Sequence, residues 1–261
     1  MKTYFFVPIV CLSLLLCSFA TGKKHYALRT VVIDAGHGGH DPGNLGTRSL
    51  DSFEKDVALG VAVRIGDYIK ANYSDIKVIY TRKSDKFIEL HERAAIANRA
   101  NADCFISVHC NSAAPAAVGT ETYAMGTHKT ESNLAVAKRE NASIMLENDY
   151  TENYDGFDPK SEEAHIMFSM FQNAYMGQSL LLAQKVEKQM AITAKRKSRG
   201  VRQAGFLVLY RTTMPAILVE TGFLTNSTEE KYLHSDNGQD NIALSIFKAF
   251  RDYKEEIEAA N

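Results

Sequence analysis

The chain reads as one α/β domain, with a largely parallel or mixed central sheet, helices on both faces and a helical insertion. Three observations carry that expectation. Apolar, β-branched runs alternate with amphipathic helical stretches along most of the 261 residues. Two of these runs end on a histidine and a third ends on a glutamate, which suits the carboxyl-end rim where open α/β sheets bind ligands. The connection from about residue 127 to 178 is longer than packing requires, and connections of that length usually carry function or motion.

The elements follow in order. Residues 1–20 place one basic side chain, Lys2, ahead of an apolar run that closes on Ser18-Phe19-Ala20, a small-x-small cleavage site. That is the pattern of a secretory signal peptide cut after Ala20, and it implies an exported, periplasmic protein. The run approaches spanning length, so a retained anchor is the alternative; the cleavage site favours export with no stable membrane span afterwards. Lipoprotein anchoring through Cys17 is disfavoured, because Leu16 is not the small residue that such processing needs. Residues 21–29 lead into the domain proper, 30–261.

Strands are expected at 30–34, 77–81, 104–108, 119–124, 205–210 and 216–220, where β-branched and aromatic residues gather. Helices are expected at 53–72, 90–101, 132–147, 162–194 and 239–260, where apolar residues recur at helical spacing. Asp51 or Ser52 would cap the first helix. Met167, Phe168, Met170, Phe171 and Tyr175 fit one helical face and are expected in the core, an exposed partner groove being the other reading. On one extended strand Cys104 and Cys110 would lie about 20 Å apart. A disulfide needs Cα atoms within about 7 Å, so no bridge between them is expected. A net charge of -1 gives no sign of a nucleic-acid partner.

The chemistry sits at the strand ends. Val31-Val32-Ile33-Asp34-Ala35-Gly36-His37-Gly38-Gly39 delivers His37 into a loop whose glycines allow a tight, positive-φ turn. Glu54 opens the first helix, and His109 closes the run that begins at Cys104. A histidine, a glutamate and a second histidine form a catalytic-type zinc set, because three protein ligands leave the fourth position for water. Glu220 ends the apolar run Ala216-Ile217-Leu218-Val219, where a carboxylate is costly unless paired or functional, and it is the candidate proton acceptor. Singly, His37 could be an ordinary loop residue, Glu54 a helix-dipole partner and His109 a satisfied core histidine. Together they outweigh those readings. His25, His40, His91, His128, His165 and His234 lack such settings and read as ordinary polar residues. Arg199, Arg202 and Gln203 could meet substrate carboxylates, a surface role being equally open.

The segments Asp34-Ala35-Gly36-His37-Gly38-Gly39, Glu54-Lys55, Ser107-Val108-His109-Cys110-Asn111 and Val219-Glu220-Thr221-Gly222-Phe223 resemble those of the zinc-dependent N-acetylmuramoyl-L-alanine amidases of the amidase-3 type. The resemblance runs from about Thr30 to the C-terminus. It implies Zn²⁺ held by His37, Glu54 and His109, with Glu220 as the catalytic glutamate. It also implies peptidoglycan as substrate, cut between the lactyl group of N-acetylmuramic acid and L-alanine during wall remodelling and daughter-cell separation. In such division enzymes an inserted helix closes the cleft, and its glutamate occupies the metal until a protein activator binds the inserted helical region. Glu140, in Lys138-Arg139-Glu140-Asn141, resembles that glutamate; Glu131 and Glu147 compete for the role, and a solvated helix charge is the plain alternative. The rival functions are a zinc peptidase acting within the stem peptide and a non-catalytic wall-binding or activator protein.

Overall fold

Nearly continuous buried runs build the central strands, because successive side chains of a strand face opposite sides and both faces of this sheet are covered. The computed structural model describes residues 26–50, 53–170 and 174–260. The signal-peptide segment, Cys17, His25, Asp51, Ser52 and Phe171 lie outside the described residues. Among those described, the strands are β1 (Thr30–Ala35), β2 (Lys77–Tyr80), β3 (Cys104–Asn111), β4 (Thr120–Met125), β5 (Ser198–Ala204) and β6 (Ala216–Phe223). They form one six-stranded sheet in the order β2-β1-β3-β6-β4-β5. All neighbours are parallel except β4 and β6, so the sheet is mixed.

The helices are α1 (Glu54–Asn72), α2 (Leu90–Arg99), α3 (Glu131–Asn141), α4 (Tyr150–Asn153), α5 (Glu162–Ser169), α6 (Met176–Ile192), α7 (Leu207–Tyr210), α8 (Ser227–His234) and α9 (Asp236–Ala259). A 3₁₀ turn, Ala142–Leu146, continues α3. Val31, Ile33, Ile106, Val108, Ile217 and Val219 point to one face, where α1, α6 and α9 cover them. Val32, Phe105 and Leu218 point to the other, under α2, α3 and α7. By the same alternation His109 and Glu220 face the second side, beneath α3. In α9 the buried residues Ile242, Ile246, Phe250, Tyr253 and Ile257 recur at three or four, and each such burial is worth about 1.5–3 kcal/mol.

Four local expectations differ from the structure. The apolar run 205–210 is not a strand: it supplies the buried one-turn helix α7, while the polar segment just before it, Ser198–Ala204, forms β5. A short apolar run cannot be assigned by periodicity alone, and a charged strand is how a sheet edge avoids further pairing. The helix expected at 162–194 is two, α5 and α6. The one expected at 132–147 is α3 plus the 3₁₀ turn. Met167 and Met170 are about two-thirds exposed, and Tyr175 is exposed as well, rather than in the core, whereas Phe168 is buried. Helix α8 was not anticipated, although Asn226 caps it by accepting from Thr228 N–H and Glu229 N–H. Cys104 and Cys110 are buried, free thiols on the same strand. Among the described residues no helix is long and apolar enough to cross a membrane.

Beneath the loop after β1 lies a buried ion pair. Arg93 Nη1 donates to Asp34 Oδ1 at 2.9 Å, and both side chains are essentially fully buried. Burial alone would raise the pKa of Asp34, but the Arg93 charge and the hydroxyls of Ser107 and Thr81 hold it below the usual carboxylate range. Arg93 also donates to Ala35 O at 2.7 Å and His37 O at 2.8 Å. Removing one partner of a buried pair strands the other charge. Arg93→Met is therefore expected to cost about 3–5 kcal/mol of unfolding free energy in a urea titration. A loss under about 1 kcal/mol, the size of an ordinary surface change, would show that the pair does not support the loop.

Candidate metal centre and active site

His37 leaves β1 with φ of 60°, a left-handed conformation rare for a side chain larger than glycine. Such strain clusters at functional sites. Its carbonyl is held by Arg93, and its Nδ1 lies 2.8 Å from Asp41 Oδ2. Asp41 also accepts from Gly43 N–H at 3.1 Å and from Ser143 Oγ at 2.9 Å. Glu54 starts α1, where Phe53 holds the cap position. Its carboxylate accepts from Asn44 N–H and Cys110 N–H, each at 2.8 Å. Gly36 lies so close to the His109 ring that an added Cβ would come within 2.5 Å of it. Gly43, at φ of 65°, leaves similar room for His37 and Glu54.

Side chains distant in sequence thus converge. His37 Nε2 is 3.1 Å from Glu54 Oε1 and 3.2 Å from Glu140 Oε2. His109 Nδ1 is 3.2 Å from Glu54 Oε1 and 2.8 Å from Glu140 Oε2. All four donor atoms lie within 4.8 Å of one another, so the buried cluster could hold a metal ion. A tetrahedral zinc site with ligands at about 2.0–2.1 Å has edges of roughly 3.3 Å, close to these separations. Despite these close approaches, His37 Nε2 and Glu140 Oε2 are buried and make no well-aligned hydrogen bond among the described residues, as atoms that face a shared ion would be. The Asp41 carboxylate behind His37 is the second partner that metal-bound histidines usually have.

Glu220 stands beside His109 in the β3–β6 register. A bulge follows, with His109 opposite Glu220 and Asn111 opposite Phe223, and bulges next to active sites re-aim side chains. Its Oε1 accepts from Arg139 Nη2 at 3.0 Å, while its Oε2 has no partner among the described residues. Arg139 also donates from Nε to Glu140 Oε1 at 2.9 Å and from Nη1 to Asn111 Oδ1 at 3.1 Å. Of the three candidate glutamates of the insertion, only Glu140 reaches the cluster. Glu131 is exposed, and Glu147 accepts from Leu90 N–H at the start of α2 and from Tyr154 Oη. His91, read as an ordinary polar residue, lies between Glu89 at 3.4 Å and Glu147 at 3.6 Å.

Sequence reasoning missed Arg139, Asp41, Asn44 and Glu121 as parts of this site. Asp41 had a signal, since His40-Asp41-Pro42-Gly43 is a turn four residues after His37. Arg139 had little, because adjacent helical residues do not normally face one target.

The electrostatics ask for a cation. Burial opposes charging His37, yet Glu54, Asp41 and Glu140 raise its pKa well above the usual imidazole value. Burial opposes charging His109 too, and Glu140 with Glu54 nevertheless brings it up to about 9. Burial would lift Glu54, but the two histidines pull it down to about 2. Glu140 is likewise held well below its usual value against burial, by His109 and Arg139. Glu220 goes the other way: burial pushes it up to about 8, helped by Glu140 and Glu54 and opposed by Arg139.

The family model described as N-acetylmuramoyl-L-alanine amidase matches residues 31–252, which takes in every side chain of the cluster. The chain belongs to that family. The amidase is 32% identical over 234 residues to N-acetylmuramoyl-L-alanine amidase AmiA of Escherichia coli K12, covering 88% of this chain and 78% of that one. It is 34% identical over 231 residues to AmiC of Escherichia coli O6:H1, covering 85% of this chain and 52% of AmiC, so it spans about half of that relative. The crystal structure of N-acetylmuramoyl-L-alanine amidase from Clostridium difficile 630 superposes with a TM-score of 0.65 at 28% identity, over 88% of this chain and 98% of that one. Membership decides for an amidase over the peptidase and non-catalytic readings.

The raised histidines give a prediction for the metal-free amidase. A group whose folded pKa is raised adds stability below its unfolded value, and that stability is lost as pH rises through the folded value. For His109 the loss therefore falls between 6.5 and about 9. A zinc ion held by these imidazoles would have to displace those protons, so zinc uptake at pH 7.5 is expected to release about one to two protons per ion. Calorimetry in buffers of different ionisation enthalpy counts them. Zinc uptake with no proton release would show that the imidazoles are already neutral.

Proposed function

We propose that this amidase is an exported, zinc-dependent enzyme that hydrolyses the amide between N-acetylmuramic acid and L-alanine in peptidoglycan. It would serve wall remodelling and daughter-cell separation in the periplasm, restrained by α3 until a protein activator engages the insertion. One observation carries the reading: His37, Glu54, His109 and Glu140 converge on one point, with Glu220 beside it. In this reading His37, Glu54 and His109 hold Zn²⁺, and Glu140 takes the remaining position. When bound, zinc supplies Lewis acidity to the scissile carbonyl and to the attacking water.

The chain's own residues do the rest. Asp41 orients His37 and keeps Nδ1 engaged, so that Nε2 is the atom left for the ion. Glu220 takes a proton from water and returns it to the departing alanine nitrogen. Its proton affinity, raised toward neutrality by burial, suits both directions of that transfer. In the closed form both groups are engaged by neighbouring residues of one helix. Glu140 occupies the cluster, and Arg139 neutralises Glu220 at 3.0 Å. Asn141 fastens the end of α3 through Gly205 O and Leu207 N–H, each at 2.8 Å. Met145, Leu146, Ile166, Met167 and Met170 of the insertion are exposed, and adaptable apolar side chains of this kind suit a protein partner.

Paired variants test the chemistry. His109→Ala is expected to lose stoichiometric zinc and activity together, measured by elemental analysis and by release of N-terminal alanine from purified wall. Glu220→Gln is expected to keep zinc and fold while turnover falls by about 10²–10⁴-fold or more. Full zinc in the first variant, or near-normal turnover in the second, would remove that residue from its role.

A further prediction concerns restraint. Glu140→Ala is expected to raise basal hydrolysis about fivefold or more, the lower end of ordinary coupling between states. Because Arg139 would still hold Glu220, Arg139→Ala combined with Glu140→Ala is expected to exceed the single variant. Unchanged basal rates in both would overturn self-inhibition and leave the amidase assignment standing.

A further inference from the structure

Two cavities flank the cluster, and α3 separates them. One, of about 300 Å³, is lined by His37, Asn44, Glu54 and Glu140 on the metal side. The other, of about 380 Å³, is lined by Asn111, Ser112, Glu121, Arg199 and Phe223. Arg139 and Ser112 line both, so withdrawal of α3 would join them into one cleft.

The second cavity lies on the Glu220 side. Glu121 is the register partner of Glu220 across β4, and Phe223 follows three residues after it on β6. Glu220 returns its proton to the departing nitrogen, so the peptide attached to that nitrogen extends toward this cavity. A stem peptide bears free carboxylates, and the cavity holds a guanidinium set up to meet one. Arg199 Nε donates to Glu121 Oε1 at 2.7 Å. Glu121 is itself fixed by Asn111 Nδ2 at 3.0 Å and Tyr123 Oη at 2.7 Å. The guanidinium carbon lies 5.1 Å from the centroid of the Phe223 ring, a cation–π contact that orients its plane. The two Nη groups of Arg199 have no partner among the described residues. Arg202 adds a second positive charge, with Nη2 3.7 Å from Glu121 Oε1. With Arg139 and Arg199 lining the cavity against Glu121, and Arg202 close behind, its wall carries a net positive charge.

We propose that Arg199 is a specificity residue that binds a carboxylate of the leaving stem peptide through its free Nη edge. The inference rests on the amidase reading given above. Arginine is suited to the task, because its fixed fork pairs with a carboxylate through two parallel hydrogen bonds and one edge is already anchored.

The test uses the zinc-loaded Glu140→Ala form, whose cleft lacks the blocking carboxylate. Two synthetic disaccharide–peptides serve as substrates, identical except that the acidic second residue of the stem carries a free carboxylate or a carboxamide. Arg199→Ala is expected to raise KM for the carboxylate substrate about tenfold or more, the loss of a charged hydrogen-bond pair. Its kcat should stay within about twofold of the parent, and the carboxamide substrate should be unaffected. Arg199→Lys keeps the charge but not the fork, and should fall between the two. If the alanine variant does not fold, the lysine variant decides alone, by whether its KM rises selectively for the carboxylate. Equal losses on both substrates, or a fall in kcat at constant KM, would overturn the proposal and leave Arg199 as a support for Glu121. Failure of the parent to release N-terminal alanine from either substrate would instead overturn the amidase reading, so the two failures are told apart.

Discussion

Arg82 and Arg93 hold the carbonyl oxygens of Ala35, Gly36 and His37 turned inward, and the geometry of the site follows from that clamp. Arg93 takes Ala35 O and His37 O, while Arg82 takes Ala35 O and Gly36 O. A left-handed residue costs about 1–3 kcal/mol and persists only where its surroundings over-determine it. Here they do. The same Arg82 guanidinium also donates to Lys55 O at 2.8 Å, which ties the His37 loop to the start of α1 and sets the distance to Glu54. With His37 and Glu54 placed, the missing Cβ of Gly36 lets the His109 ring settle against the loop backbone.

Charge explains why so many acids tolerate burial together. Asp41, Glu54, Glu140 and Glu220 are all buried around two imidazoles and one guanidinium. Isolated carboxylates would neutralise rather than ionise in such a place, and Glu220, with the weakest pairing, moves that way. Glu54 and Glu140 remain charged because the histidines opposite them take up protons. The cluster thus draws positive charge from its own imidazoles.

Much of this was legible in the chain, for physical reasons. Apolar runs that lead into His37, His109 and Glu220 announce themselves because a buried carboxylate or imidazole at such a place is costly unless paired or functional. The unbroken apolar run Val31-Val32-Ile33 gives a sheet covered on both faces. What stayed hidden depends on tertiary contact. Arg139 folds along its own helix to reach Glu220, a path that no spacing rule contains. Glu121 acquires meaning only when the antiparallel β4 sets it beside Glu220. Strand β5 is polar because it lies at an edge, and edge position is a property of the assembled sheet. Met167 and Met170 share helical spacing with the buried Phe168, yet α5 turns them outward.

The contact between Ser143 and Asp41 has a thermodynamic corollary. The segment that follows Glu140 reaches the carboxylate behind His37, so in the zinc reading proposed above closing α3 would change both a ligand and the support of another. Metal retention and helix closure would then be linked quantities. By reciprocity, whatever factor closure adds to zinc affinity, zinc adds to the stability of the closed helix. An opening partner would work against that same factor, and the opened enzyme would hold its ion less tightly. Scarcity of zinc would loosen the latch just as it deprives the site of its chemistry, so an enzyme short of metal would open easily and still cut nothing.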